Sequence, residues 1–405
     1  MRLLGKLNFR IWILPVLTLL FLAGCAVRTT VRHGYYPPLS ASPDQAKRLA
    51  NARILLAQDR EYAEVACAGW VGVEDLGRHL PDQRLHLTSQ ARILVQNRAL
   101  VLDRQFFPSD RLRLVPEPGQ YLQVNGVHYR GALEVSVTGP NETLQLVNVL
   151  GVEDYLKGVV PNEMQFAWPL EALKAQAVAA RTFTYSRMAA QSEANYDLEA
   201  GANSQVYRGQ DSERGSTDQA VDETRGLVAV FRGRFISAFY HANCGGHTAD
   251  VAQVWGGDAP YLSGVECSFC SQGPHYAWTL ELPLGEVAEA LSRHGQPGGS
   301  VRDLRVLGRG ADGRVTQVEI GRGAGPVTVK GAAFRMLIGP DRVRSTNFEV
   351  QALGSVARLR GHGWGHGVGL CQEGAGGMAR SGYGCEEILR HYYPGIELRR
   401  LEQQR

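Results

Sequence analysis

Apolar and polar positions change period along this chain, and the changes mark its elements. Leu170, Leu173, Ala177, Ala180, Thr184 and Met188 recur at steps of three and four in a stretch dense in alanine and other strong helix formers. This pattern predicts an amphipathic helix with Pro169 at its first position. Beside that stripe Lys174, Val178, Arg181 and Tyr185 follow steps of four, three and four, so three polar side chains share one face. From Ala66 to Val149 short runs rich in Val, Leu and Ile, such as Ala91–Val95 and Leu144–Leu150, are cut by Gly and Pro turns, which predicts strands. Asn125-Gly126, with Tyr121–Val124 before it and Val127–Tyr129 after it, predicts a hairpin, and Arg232-Gly233 predicts a turn in the alternating stretch Gly226–Tyr240.

The flanks read differently. Residues 26–42 hold Pro37, Pro38 and Gly34 with few apolar side chains and read as a tether. Ala46, Leu49, Ile54 and Leu55 lie near helical spacing, which predicts a helical piece from Pro43 to about Tyr62. Between His275 and Gln351 a helix at Leu284–Leu291 and a hairpin around Asp312-Gly313 read as an inserted subdomain, while Gly354–Leu398 is glycine-dense and then helical at Glu386–Tyr392. The expected division is a signal segment at 1–24, tether and helix at 25–62, a core at 63–274 and 354–405, and the insertion at 275–353. The fold class is α+β: a strand-rich core with one long helix at the candidate site and a smaller α+β insertion.

An apolar fraction of 44% in 405 residues is ordinary for a globular protein with a sizeable core. The 43 basic and 40 acidic residues leave a net charge of only +3, which gives no electrostatic footprint for nucleic acid. Arg2, Lys6 and Arg10 precede the apolar run Ile11–Leu22, too short to span a bilayer comfortably and laid out like a secretory signal. The run ends in Leu22-Ala23-Gly24-Cys25, which resembles a bacterial lipobox with Cys25 as the lipidated residue. That predicts an exported lipoprotein held at a membrane by lipid on its periplasmic side, without a spanning helix. Ala26 is not the Asp of an inner-membrane retention signal, so the outer membrane is preferred where two membranes exist.

Glu163 is the candidate catalytic residue. It stands in a Pro-Asn turn ahead of the long helix, followed by Met164, Phe166 and Trp168, whose apolar surface is expected to desolvate the carboxyl and raise its pKa, against the helix dipole. The competing structural reading is an ion pair with Lys174 or Arg181.

Without Cys25 six cysteines remain: Cys67, Cys244, Cys267, Cys270, Cys371 and Cys385. An even count in an exported chain suggests disulfides. Against this, His241-x2-Cys244-x2-His247 followed by Cys267-x2-Cys270 has the spacing of a tetrahedral zinc site, formed by Cys244, His247, Cys267 and Cys270, with His241 free to point into the cleft. Four protein ligands leave no open position, so such a zinc is structural and catalysis needs no cofactor. Cys371 and Cys385 are candidates for a disulfide, and Cys67 has no obvious partner.

The runs YLKGVVPNEM, EALKAQAVAARTF, SQVYRG, ETRGLVAVFRGRFISAFYHANCGGHT, GHGWGHGVGLCQEGAGGMA and HYYPG, in that order between about Val127 and Leu398, resemble the SpoIID/LytB family, that of sporulation stage II protein D and amidase enhancer. The resemblance implies a peptidoglycan lytic transglycosylase that cuts the MurNAc–GlcNAc bond of peptide-stripped glycan, with Glu163 as its single general acid/base. It implies glycan strands as the partner and His366 and Gln372 as residues near the cleft. Lys174, Arg181 and Tyr185 are expected to bind the lactyl carboxylate of muramic acid or to stabilise developing charge, and Trp364 to stack on a sugar or pack in the core. A zinc site found in some members just ahead of the Gln-Val-Tyr motif is missing, because Leu198–Ser204 carries neither Cys nor His. The family name also implies an alternative, a non-catalytic glycan-binding enhancer of a cell-wall amidase. A third reading, a water-using muramidase, needs a second carboxylate, for which Asp154, Glu171 and Asp197 are nominal candidates.

Overall fold

The computed structural model describes residues 38–39, 50–87, 89, 91–190, 194–201, 203–295 and 299–401. The signal segment with Cys25, most of the tether and the first part of the expected Pro43–Tyr62 helix lie outside the described residues. Where that expectation can be compared it fails: Asn51–Arg60 is a strand. It pairs antiparallel with Thr143–Gly151 and parallel with Leu198–Glu199. Ala52 and Ile54 alternate into the core, so sheet pairing overrides the local preference of Ala, Leu and Arg for helix. Within the expected tether, Pro38–Leu39 forms a two-residue strand alongside Arg400 and Leu401.

The strand-rich region from Asn51 to Gly151 forms two sheets. One runs in the order Leu198–Glu199, Asn51–Arg60, Thr143–Gly151, Ala132–Thr138, Arg111–Pro116, Trp70–Asp75 and Gln83–His86. The other runs Val127–Tyr129, Leu122–Val124, Tyr62–Ala66, Ala91–Gln96, Ala99–Leu102 and Gln105–Phe107. Val65, Ile93, Leu100 and Leu102 of the second share one core with Val73, Leu114, Val135 and Leu146 of the first. The hairpin at Asn125-Gly126 forms as expected, with Val124 opposite Val127. Both turn residues take positive φ, 48° and 87°, which Asn and Gly accept at least cost and which suits the right-handed strand twist. The Arg232-Gly233 turn forms the same way, with Phe231 opposite Arg234.

The helix Leu170–Ala190, 21 residues long, shares a core with Ala52, Ile54 and Leu150 of the first sheet. It is not amphipathic: from Ala172 to Thr184 only Lys174 escapes burial. Alanine supplies the reason, because Ala172, Ala175, Ala177, Ala179 and Ala180 let neighbours approach on every side. Those neighbours include the helices Val152–Lys157, Gly215–Glu223, Gln372–Arg380 and Cys385–Tyr392 and the strand Leu227–Phe231. Among the described residues no helix is long and apolar enough to cross a membrane.

The segment expected as an insertion at 275–353 has its own core, built on Trp278, Leu282, Val287, Val318, Ile320, Phe334 and Phe348, and Leu359, beyond the expected end, belongs to the same core. Its helix Leu284–Arg293 and the hairpin of Val301–Arg309 with Val315–Arg322 match the pattern read from sequence. The strand Val356–His362 pairs with both Ala277–Pro283 and Phe348–Leu353, so the insertion's sheet delivers the chain directly into the glycine-rich motif. The described part is thus a mixed α+β fold.

Candidate functional site

Glu163 closes a single helical turn, Val160–Glu163, with Pro161 near its start. Its backbone carbonyl accepts from the Gln372 side chain at 2.9 Å, and Gln372 also reaches Gln176 of the central helix at 3.3 Å. One carboxylate oxygen accepts the Val206 N–H at 2.7 Å, and the Tyr240 hydroxyl also bonds to the carboxylate. Tyr240 is held in turn by Gln205, whose amide donates to the hydroxyl at 3.2 Å and whose oxygen accepts from Thr184 at 2.9 Å. Burial raises the Glu163 carboxyl above its ordinary value of 4.5, while the bonds from Val206 and Tyr240 pull it back. The ion pair with Lys174 or Arg181 does not form.

Glu163 lies in the wall of a cleft of about 910 Å³, lined also by Phe183, Arg187, Asn203, Phe239, Tyr240, His241, Trp255, Arg335, Trp364 and His366. Among the described residues lining it, Glu163 is the one carboxylate. Asp197 is instead paired with Arg53 at 2.7 Å, Glu171 accepts from Lys174 and from the Cys385 N–H, and Asp154 is not in the lining. Trp255, 52% exposed, meets Phe239 and His366 with ring centroids 4.8 and 4.9 Å away, an aromatic platform at the mouth.

His366 accepts the Val368 N–H at Nδ1, 3.0 Å away, and burial with nearby Arg335 holds its pKa down at about 4. His241 sits 3.2 Å from the Val368 carbonyl through Nδ1, and its Nε2 is buried without a partner. Burial, then His366 and Arg314, push its pKa far down, so both imidazoles are neutral at neutral pH.

The other expected residues divide. His366, Gln372 and Trp364 line the cleft with Glu163. Lys174, Arg181 and Tyr185 do not. Lys174 pairs with Glu171 at 2.9 Å and Glu223 at 2.6 Å. Arg181 is fully buried and forks onto Glu153, and Tyr185 stacks on Phe235 at 5.6 Å, its hydroxyl pushed up to about 12 by burial. The face of the helix turned to the site instead carries Gln176, Phe183, Thr184 and Arg187. Phe166 is 52% exposed under Arg214 and is not in the lining. Sequence reasoning missed Val206, Tyr240, Trp255 and Arg335. The first of these lies in the Ser-Gln-Val-Tyr run that carries the family resemblance, but it acts through its backbone N–H, which no residue type signals.

The expected cysteine-histidine set is altered. Cys244, Cys267, Cys270 and Cys371 bring their sulfurs within 4.8 Å of one another, all buried. His247 turns away, its Nδ1 2.7 Å from the Thr248 carbonyl. Cys371 therefore takes the fourth position and is not bonded to Cys385; all six described cysteines are free. Spacing could not find Cys371, since it lies 101 positions after Cys270.

Comparisons with known proteins show which family the chain resembles. Residues 140–231 match the SpoIID family, described as stage II sporulation protein, and residues 268–369 match a domain of unknown function. An uncharacterized protein of Brachyspira hyodysenteriae is 35% identical over 313 residues, 77% of this chain and 83% of that protein. The stage II sporulation protein D of Bacillus subtilis is 28% identical over 291 residues, 66% of this chain and 80% of that protein. The amidase enhancer of Bacillus subtilis is 28% identical over 338 residues, 71% of this chain but 46% of its own length. With the Glu163 turn, the central helix and the Gln-Val-Tyr segment all inside the matched region, this chain belongs to the SpoIID/LytB family.

Proposed function

We propose that this protein is a peptidoglycan lytic transglycosylase, exported and lipid-anchored through Cys25, that cuts the MurNAc–GlcNAc bond with Glu163 as its single acid/base. The observation that carries the reading is one half-buried carboxyl of raised pKa in a large cleft whose described lining holds no second carboxylate. A hydrolysing glycosidase ordinarily uses two, the second to activate water or attack the sugar. Here protonated Glu163 gives its proton to the glycosidic oxygen as the C1–O bond breaks. The C6 hydroxyl of the same MurNAc then closes on C1, and the carboxylate takes the hydroxyl's proton. Val206 and Tyr240 stabilise the anion between these steps.

Arg187 and Arg335 supply the positive charge of the cleft, the role expected from sequence of Lys174 and Arg181, and they suit the lactyl carboxylate of muramic acid. Trp255 offers its exposed face to a sugar ring. Neutral His366 and His241 offer hydrogen bonds rather than charge.

Mass spectrometry of peptide-stripped glycan strands after incubation tests the reading. Products ending in 1,6-anhydro-MurNAc, one water lighter than hydrolysis products, are expected. Reducing ends would mean water is the nucleophile. The name of the relative called amidase enhancer favours a second reading, glycan docking that stimulates a cell-wall amidase; glycan retained uncut by folded protein would support it.

Tyr240→Phe gives a finer test. Loss of the hydroxyl leaves burial less opposed, so the Glu163 pKa moves further up. The acid form then persists to higher pH, and the alkaline fall of the pH–rate profile is expected to shift upward while the maximum rate drops. An unmoved alkaline limb would assign that limb to another group.

A further inference from the structure

Outside the catalytic chemistry, the buried cysteine cluster is the strongest unassigned feature. We propose that Cys244, Cys267, Cys270 and Cys371 bind one zinc ion as four thiolates, a structural site that locks together the two chain segments holding Glu163. The size fits a single ion. Tetrahedral zinc with sulfur at about 2.3 Å sets sulfurs roughly 3.8 Å apart. The four here lie within 4.8 Å, with Cys244 and Cys270 at 3.5 Å. A four-iron cluster, bound from outside at four separate irons, needs a wider cage.

The surroundings are those of thiolates. The Cys371 sulfur accepts N–H bonds from Cys244 at 3.2 Å and Gly374 at 3.3 Å, and the Gly246 N–H bonds to the Cys270 sulfur. The Tyr392 hydroxyl is 3.0 Å from the Cys267 sulfur. Donors converging on sulfur in this way orient ligands and offset their charge. Zinc with four thiolates carries two net negative charges, and Arg314, 4% exposed, lies beside it. Its guanidinium donates to the Cys244 carbonyl at 2.6 Å and to the His247 carbonyl at 3.3 Å and pairs through Nε with Asp312 at 3.3 Å, while its other terminal nitrogen is buried without a hydrogen-bond partner. A buried cation beside the cluster offsets part of the charge that four thiolates would carry.

The site has a consequence for the cleft. Cys244 follows the short strand Tyr240–His241, and Cys371 immediately precedes Gln372 at the start of Gln372–Arg380. Tyr240 and Gln372 are the two side chains that grip Glu163, so one ion fastens both. This inference is independent of the transglycosylase reading.

Metal analysis of the purified full-length chain is expected to find one zinc per protein. Cobalt exchange is expected to give thiolate-to-metal charge transfer and the visible bands of a tetrahedral thiolate site. Cys267→Ser is expected to lose zinc and melt earlier. Cys385→Ser, a buried thiol outside the cluster, is expected to keep its zinc and serves as the control if the first variant folds poorly. Wild-type protein without zinc, or lighter by four hydrogens with two disulfides among these cysteines, would overturn the proposal, as would iron in place of zinc.

Discussion

Replacing Glu163 by Gln is expected to lower glycan cleavage by about 10²–10⁴-fold, the usual contribution of a positioned acid/base. Gln keeps an oxygen for the Val206 N–H, so the turn should stay in place while the proton is lost. The same variant reports on the electrostatics without substrate. Burial raises this carboxyl, so folding favours its protonated form and the group's contribution to stability falls as pH rises from its ordinary 4.5 through the raised value. Gln does not titrate. The variant is therefore expected to melt higher than wild type above the raised pKa, with the gap closing below pH 4.5. A variant that melts lower at alkaline pH would show that the bonds from Val206 and Tyr240 outweigh burial. Full activity in Glu163→Gln would remove the acid/base assignment altogether.

Arg181→Ala is expected to destabilise the fold by about 3–5 kcal/mol, the cost of breaking a buried charge pair from one side. Arg181 donates to both oxygens of Glu153, at 2.9 and 2.7 Å, and to Thr224, the Leu227 carbonyl and the Val221 carbonyl. It thereby joins the helices Val152–Lys157 and Gly215–Glu223 and the strand Leu227–Phe231 to the central helix. Alanine would leave Glu153, its side chain 16% exposed, with the Gly226 N–H but no cation. Arg181→Lys keeps the charge and loses the fork, so its stability should lie between the two. Urea unfolding measures all three chains. Unchanged stability with a raised KM would instead return Arg181 to the substrate role expected from sequence.

Much of the local structure was legible because local physics decides it. Asn125-Gly126 formed a turn because two successive positive φ values ask for such residues, and at Arg232-Gly233 the glycine alone supplies that preference while Arg232 follows it at φ 50°. Leu170–Ala190 formed a helix because its alanines favour helix at nearly every position. The stretch Gln372–Arg380 was misleading for the opposite reason. The pattern read from sequence places a helix in the glycine-dense end of the chain only at Glu386–Tyr392, yet this stretch is also a helix, and its glycines serve close contact: a Cβ on Gly377 would sit 2.2 Å from the Phe269 carbonyl, and one on Gly374 would sit 2.6 Å from the Cys267 sulfur. The packing against the cysteine turn outweighs the helix propensity lost.

By itself the sequence determined the mixed α+β class, the family and the identity of Glu163 as the carboxylate to watch, since these depend on period, order and motif. Tertiary structure decided which side of the central helix meets the cleft. A helix buried on nearly all sides has no polar face to betray its orientation, so Lys174, Arg181 and Tyr185 could be aligned from spacing but not aimed. It also decided the fourth member of the thiol cluster, because Cys371 reaches Cys270 across 101 positions of chain, and only the folded path of the insertion brings the two together.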